Sequence, residues 1–393
     1  MKKIGVYLGN EPYWGGAFQY NQSILEALNS LDKSKYEIWA IYIHPLWEDY
    51  LSRYDFKLKH VNRYRWKNLL SVAIKKVLLR CNIGWHKYRW LFGKIDLNAR
   101  VIDSCDMDLV LFPSQEHFAV FQRTPAISVI HDLMHRYEDF PEVTENGEYV
   151  LREQSYSAIC NVSTGIFVDS EIGKYQVAEC YGDQYLDKLY VLPFTPPQYL
   201  FYEKETKPKE YLPEKYIFYP AQFWKHKNHM NLIKAIASLR DDNTFVNLIL
   251  VGSKKNGYEK VCNLVENLNL TSQVFILGYV SDGEMKFLYK HARAMVMPTF
   301  FGPTNIPPLE AMSMGCPMAI SAVYGMPDMV GDAGLLFNPH SVEEIAECIK
   351  KLWLDDDLCK KLVVDGLERN KLFSQDIFNK KFAAHIEDIL EKL

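Results

Sequence analysis

At 393 residues the chain exceeds what one hydrophobic core usually supports, so two domains are expected. Its 48% hydrophobic and 24% charged residues are those of an ordinary folded protein, and a formal net charge of −4 speaks against nucleic-acid binding. Eight scattered cysteines form no C-x-x-C pair, which argues against a zinc site or a disulfide framework and fits a reducing cytoplasm. The apolar run at the N-terminus is too short for a signal peptide, and no stretch approaches the roughly 20 apolar residues of a membrane span, so a cytoplasmic location is expected.

Residues 3–8 read as a strand that ends in a glycine- and aromatic-rich loop, 9–16. A helix follows with Ile24, Leu25, Leu28 and Leu31 on one face. Strand, glycine turn and helix open a Rossmann-like unit, although the Gly15-Gly16 pair serves plain turn geometry equally well. A second strand is expected over 36–44. Residues 63–94 carry nine Lys or Arg and no acid, interleaved with Trp66, Trp85 and Trp90. Such a basic amphipathic stretch reads either as a surface for anionic lipid, which would make the protein peripheral to a membrane, or as a solvated helix face.

The apolar runs 108–113 and 126–130 suit central parallel strands buried on both faces. The second ends in His131-Asp132, at the edge where α/β proteins bind ligands. Asp106 and Asp108 have the spacing of a divalent-metal pair, but directly ahead of a buried strand they read better as its lead-in. Two shorter runs, 165–170 and 189–193, flank a helix from Glu171. Composition then turns rich in Pro and charge over 193–216, the best candidate for a linker.

A second alternation of strands and helices follows from Tyr216, which implies another parallel, doubly wound sheet. Within it, residues 298–317 are the stretch around which the site is expected. The apolar run 294–297 feeds a turn, Gly302-Pro303-Thr304-Asn305, and a helix opening at Pro307, where proline is favoured. The cap would then fall on Ile306, which has no side-chain acceptor, leaving the amides of Leu309 and Glu310 and those of 304–306 for an anion. Glu310, one turn in, can accept from a pair of hydroxyls such as a ribose offers. Loops 222–229 and 278–281 would meet this one at the carboxyl edge of the sheet, the first bringing Lys225, His226 and Lys227 to a helix start.

Taken together, YPAQFWKHKNHMNLIKAI, LVGSKK, ILGYVSDGEMKFLYKHARAMVMPT, NIPPLEAMSMGCP and DAGLLFNPHSVEEIAECI resemble the retaining glycosyltransferases of family 4, the group 1 type. GGAFQYNQSILEAL, ISVIHDLMH, FVDSEIGK and LYVLPF match that family more loosely. The resemblance implies the GT-B fold, two Rossmann-like domains facing a cleft. An acceptor-side domain would span 1–195, a linker 196–215 and a donor domain 216–374, with a last helix, 375–393, packing back toward the first domain.

It further implies that Glu310 binds ribose hydroxyls, that Lys227 binds the donor phosphates, and that His131 contacts the donor sugar. Gly16 would belong to a loop closing over the phosphates, while Gly278 and Tyr279 receive the base. Two departures stand out. The family's first glutamate falls on Gly302, and its arginine ahead of the phosphate lysine falls on Gln222. Sugar hydroxyls would then pass to Thr304, Asn305 or loop amides, with Pro303 and Ile306 also lining the donor site, and phosphate charge to Lys225 or Lys227. The activity implied is hexosyl transfer with retention, from a GDP- or UDP-linked sugar, mannose among them, to a glycan or lipid-linked acceptor. No metal or other cofactor is expected. Rival readings are a nucleotide-sugar epimerase, a phosphorylase, or a non-catalytic donor-binding partner of another transferase. From the sequence alone Glu310→Ala is expected to abolish transfer and leave the fold intact.

Overall fold

The computed structural model of the chain describes residues 1–12, 15–61, 93, 96–114, 119 and 121–393. The basic stretch 63–94 lies outside the described residues except for Gly93. Two compact units emerge, one of Met1–Leu133, Gly147–Pro193 and Gln375–Leu393, the other of Met134–Asn146 and Phe194–Ser374.

The first unit is a seven-stranded sheet, parallel throughout, in the order β3-β2-β1-β4-β5-β6-β7. Its strands are β1 Lys2–Leu8, β2 Tyr36–Tyr42, β3 Lys57–His60, β4 Leu109–Phe112, β5 Ala126–Val129, β6 Gly165–Val168 and β7 Leu189–Val191. Every residue of β4, β5 and β6 is buried, which is why these strands read as unbroken apolar runs. The edge strand β3, with the sequence KLKH, is exposed along its length, and its lysines discourage pairing with another sheet. The helix Gln375–Glu391 belongs to this unit. Phe382, Ile386 and Ile389 are buried, Gln375 Nε2 donates to Ser23 O at 3.0 Å, and Tyr190 Oη donates to Asp388 at 2.6 Å. Asp108, at the start of β4, accepts from the Lys3 amide at 2.8 Å and pairs with Lys2 at 3.0 Å, so it ties β4 to β1.

The second unit is a six-stranded parallel sheet in the order β10-β9-β8-β11-β12-β13. Its strands are β8 Ile217–Pro220, β9 Leu248–Val251, β10 Val274–Gly278, β11 Ala294–Met297, β12 Met318–Ser321 and β13 Leu335–Phe337. β8, β9, β11 and β12 are buried at every position, and full burial of one side chain such as Phe218 contributes roughly 2 to 3 kcal/mol. The chain runs outward from β8 through β9 to β10, then returns to lay β11 on the other side of β8. Strand order reverses there, between the loops that follow β8 and β11, the place where open α/β sheets generally bind ligands.

Two further segments complete this unit. Residues 196–215, read from composition as a linker, pack on it through their polar groups. Glu205 bridges Lys290 at 3.0 Å and His291 at 2.7 Å, and the Thr206 amide donates to Gly283 O at 3.0 Å. Met134–Asn146 joins it through a small apolar cluster in which Met134, Val143 and Phe301 are buried, with Tyr137, Phe140 and Tyr324 packed around them. Among the described residues no helix is long and apolar enough to cross a membrane.

Candidate functional site

The loop after β8 makes one tight turn, Lys225–Lys227, before the helix His229–Asp241. Asn228 stands between them at φ 57°, a left-handed conformation that asparagine tolerates better than most residues. Its Oδ1 caps the Asn231 amide at 3.4 Å, and its Nδ2 donates to Pro298 O at 2.9 Å and Pro339 O at 2.8 Å. One side chain thus starts a helix and fastens the loop after β8 to the loop after β11. His226 O strengthens the junction by accepting from the Phe300 amide at 2.8 Å.

The loop after β11 carries Gly302 at φ 120°. A Cβ added there would meet Asn305 Nδ2 at 2.6 Å and Thr304 O at 3.2 Å. Both the backbone angle and the space therefore call for glycine where the family pattern has glutamate. Pro303 O accepts from the Gly325 amide at 2.9 Å, which anchors the turn. The following helix spans Ile306–Met314 and begins one residue earlier than the proline pattern suggests. Asn305, not Ile306, is its cap residue, yet its side chain makes no capping bond. Instead Asn305 Oδ1 accepts from Lys227 Nζ at 3.2 Å. The four amides a helix start leaves unpaired then fall on 305–308. Pro307 and Pro308 remove two of them, and the amides of Leu309 and Glu310 lie beyond the set, contrary to the expectation from sequence.

Glu310 is buried, and both of its oxygens are engaged. Tyr199 Oη donates to Oε1 at 2.8 Å and Tyr289 Oη to Oε2 at 2.6 Å. Burial pushes its pKa above the ordinary value, with nearby Asp282 adding to the rise and the two tyrosine hydroxyls opposing it. A carboxylate has about four lone-pair positions, so two remain for a diol after the tyrosines are served.

Lys225 and Gln222 are exposed at the same loop, where Gln222 Oε1 accepts from Trp224 Nε1 at 2.9 Å. Gly278, at φ 75°, closes β10 two strands from β8, and Tyr279 beside it is 80% exposed. The structure brings Lys227, Asn305, Ile306 and Glu310 onto one helix start, with Gly302, Pro303 and Thr304 in the turn leading to it. His131 and Gly16 belong to the first unit. The His131 ring meets Tyr20 edge-on at 4.9 Å, and burial lowers its pKa to about 4 against the raising influence of Asp132. Asp132 pairs with Arg152 at 2.8 Å. Gly16 lies in the first turn of the helix Gly15–Asn29, and Gly15 at its start has φ 49°.

Sequence reasoning missed Glu142, on the short helix Pro141–Thr144. Its Oε1 accepts from the His226 amide at 2.9 Å and from the His226 ring Nδ1, while Oε2 accepts from Asn256 Nδ2 at 3.0 Å. Asn256 Oδ1 in turn accepts from the Lys225 amide at 3.0 Å. Burial would raise the pKa of Glu142, but the bonds from the His226 ring and amide and from Asn256 outweigh it and hold it near 2. An ionised carboxylate only accepts, so the His226 proton is assigned to Nδ1. The His226 ring stacks on Phe301 with centroids 4.0 Å apart and planes at 12°.

Two parallel, doubly wound α/β units make the GT-B fold. The chain matches HepE of Anabaena, solved in complex with UDP and glucose, with a TM-score of 0.74 over 98% of this chain and 100% of that one at 15% identity. It matches the lipopolysaccharide outer core galactosyltransferase WaaB with a TM-score of 0.64 over 100% of both chains, again at 15% identity. These likenesses are of fold.

Residues 202–368 match the family model of glycosyl transferases group 1. O-antigen chain mannosyltransferase B of Escherichia coli is 34% identical over 161 residues, 40% of this chain and 42% of that relative. O-antigen chain mannosyltransferase RfbU of Salmonella typhimurium is 30% identical over 139 residues, 35% of this chain and 38% of the relative. Each alignment covers less than half of the relative's length.

Proposed function

We propose that the protein is a retaining, metal-independent glycosyltransferase. It would move a hexose, mannose first among the candidates, from a nucleotide-diphosphate sugar to a glycan or lipid-linked acceptor in surface polysaccharide synthesis. The observation that carries this reading is the Lys227–Asn305 pair at the uncapped start of the helix that bears Glu310. A lysine ammonium beside the amides of Asn305 and Ile306 is suited to the charge that develops on a departing diphosphate. Mannose is suggested by the two relatives named above.

Double displacement requires a carboxylate nucleophile near the anomeric carbon. The position the family gives to its first glutamate is Gly302, and Glu310 is committed to Tyr199 and Tyr289. The reading therefore favours substitution on one face of the sugar. The bond from the anomeric carbon to the diphosphate oxygen breaks, a bond to the acceptor oxygen forms on the same side, and the acceptor proton goes to the diphosphate.

The test is incubation of the full chain with GDP-mannose, UDP-glucose and UDP-galactose, each with lipid-linked and oligosaccharide acceptors, in EDTA. Proton NMR of the product then reads the anomeric configuration. An α-linked product from an α-linked donor supports the proposal, and a β-linked product overturns retention. Binding of a donor without turnover on any acceptor would favour a non-catalytic partner. Flotation with anionic liposomes tests the basic residues 63–94 as a membrane surface, and no flotation removes that part of the reading.

A further inference from the structure

Residues 134–146 grip both loops of the candidate site. Phe140 stacks on Phe300 with centroids 5.4 Å apart and lies 5.7 Å from Phe301, in the loop after β11. Two residues further along the same segment, Glu142 turns the other way: it takes the His226 amide and ring in the loop after β8 and Asn256 in the loop after β9. Holding the segment in place does not require this carboxylate. Met134, Val143 and Phe140 already pack around Phe301, and Tyr324 Oη donates to Glu138. A buried carboxylate costs several kcal/mol in desolvation, and apolar side chains of similar size usually hold a fold as well. What a carboxylate adds is direction, because its bonds fix the donors that point at it.

The donors fixed here belong to one turn. The His226 amide and ring bond Glu142 directly, and the Lys225 amide is held through Asn256, so the backbone on both sides of His226 is set. Lys227 is the next residue, and its Nζ stands on Asn305. We propose that Glu142 is a positioning residue for donor binding: acting through His226 and Asn256, it sets the Lys225–Lys227 turn so that Lys227 faces the helix start at Asn305. The proposal rests on the donor-site reading given above.

The experiment measures binding of GDP and of UDP to the full chain by calorimetry, for wild type, Glu142→Gln, Asn256→Ala and the double variant. Steady-state kinetics with the donor sugar and thermal unfolding accompany it. Glu142→Gln keeps the side-chain shape but turns one acceptor into a donor. It is expected to raise Kd for the bound nucleotide at least tenfold, with most of the loss in kcat/KM appearing in KM. Asn256→Ala, at an exposed position, is expected to raise Kd about three- to tenfold. In the double variant the loss is expected to equal that of Glu142→Gln alone, since both act through one turn.

Additive losses overturn the proposal, and so does a Kd within twofold of wild type in either single variant. If Glu142→Gln does not fold, the Asn256→Ala result decides alone. Wild type that binds neither GDP nor UDP overturns both this inference and the functional reading beneath it. Wild type that binds while the variants bind equally well overturns the inference only.

Discussion

Lys227 and Asn305 stand 78 positions apart in the chain, and a 3.2 Å hydrogen bond joins the lysine Nζ to the asparagine Oδ1. Asparagine is among the best helix caps, worth about 1 kcal/mol over alanine, yet Asn305 withholds its side chain from its own helix. The bond draws an ammonium toward the positive end of a helix dipole, where a cation is disfavoured and an anion would relieve both.

Lys227→Met is therefore expected to weaken GDP or UDP binding by about 10- to 100-fold, the range of one charge-assisted bond of 1.5 to 3 kcal/mol. It should leave the melting temperature unchanged or slightly raised. Asn305→Ala should act in the same direction and less strongly. Titration calorimetry and thermal unfolding check both, and a Lys227→Met protein that binds nucleotide like wild type would remove the lysine from the site.

Glu310 changes the experiment that the sequence suggested. Glu310→Ala would strand the buried Tyr199 hydroxyl and leave that of Tyr289 only Pro307 O at 3.5 Å, at about 1 to 3 kcal/mol for a stranded donor. The alanine variant should thus lose both transfer and several degrees of melting temperature, so it cannot separate the two roles. Glu310→Gln retains one carbonyl acceptor and should lose transfer with a smaller loss of stability. Tyr289→Phe leaves Oε2 less satisfied, so donor KM should rise several-fold. The acid limb of kcat/KM should also move to higher pH, because one of the two bonds that oppose the burial of Glu310 is gone. An unmoved acid limb would separate Glu310 from the donor.

Much of this was legible because parallel strands buried on both faces are written as short apolar runs. IFYP, LILV and AMVM announce β8, β9 and β11, and the basic and proline-rich loops after them lie where the switch point places ligands. Glu142 was not legible. It is one acid in an aperiodic stretch, DFPEVTE, and its role comes from a residue 84 positions away. Its only local signal is the proline that opens its short helix. Tyr199 was hidden in the same manner, inside a stretch whose prolines and charges read as a linker. The one-residue error at Ile306 came from placing Pro307 at the first helical position rather than the second.

The family pattern invites restoring a carboxylate at Gly302, and the structure opposes it. At φ 120° a side chain is strained by about 1 to 3 kcal/mol, and its Cβ would displace Asn305 Nδ2. Gly302→Glu is expected to lower stability by that amount and to reduce donor binding, since Asn305 also holds Lys227. Gly302→Ala should do nearly the same, which distinguishes backbone strain from added charge. A Gly302→Glu enzyme with raised turnover would show that the loop can accept the family's arrangement after all.

The Glu142–His226 contact also predicts a pH dependence whose sign is fixed. The carboxyl has a pKa of about 2 in the folded chain against 4.5 ordinarily, so the folded state favours its ionised form. The stability it contributes is fully present above pH 4.5 and is lost as pH falls toward 2. Allowing for partial screening, the contribution is on the order of 2 kcal/mol. Glu310 shifts the opposite way but is common to wild type and Glu142→Gln, so it cancels in their difference. Urea unfolding of both proteins at pH 5, 4 and 3 should therefore show a gap that narrows as pH falls. A gap that stays constant down to pH 3 would mean that Glu142 is not held ionised by His226 and Asn256.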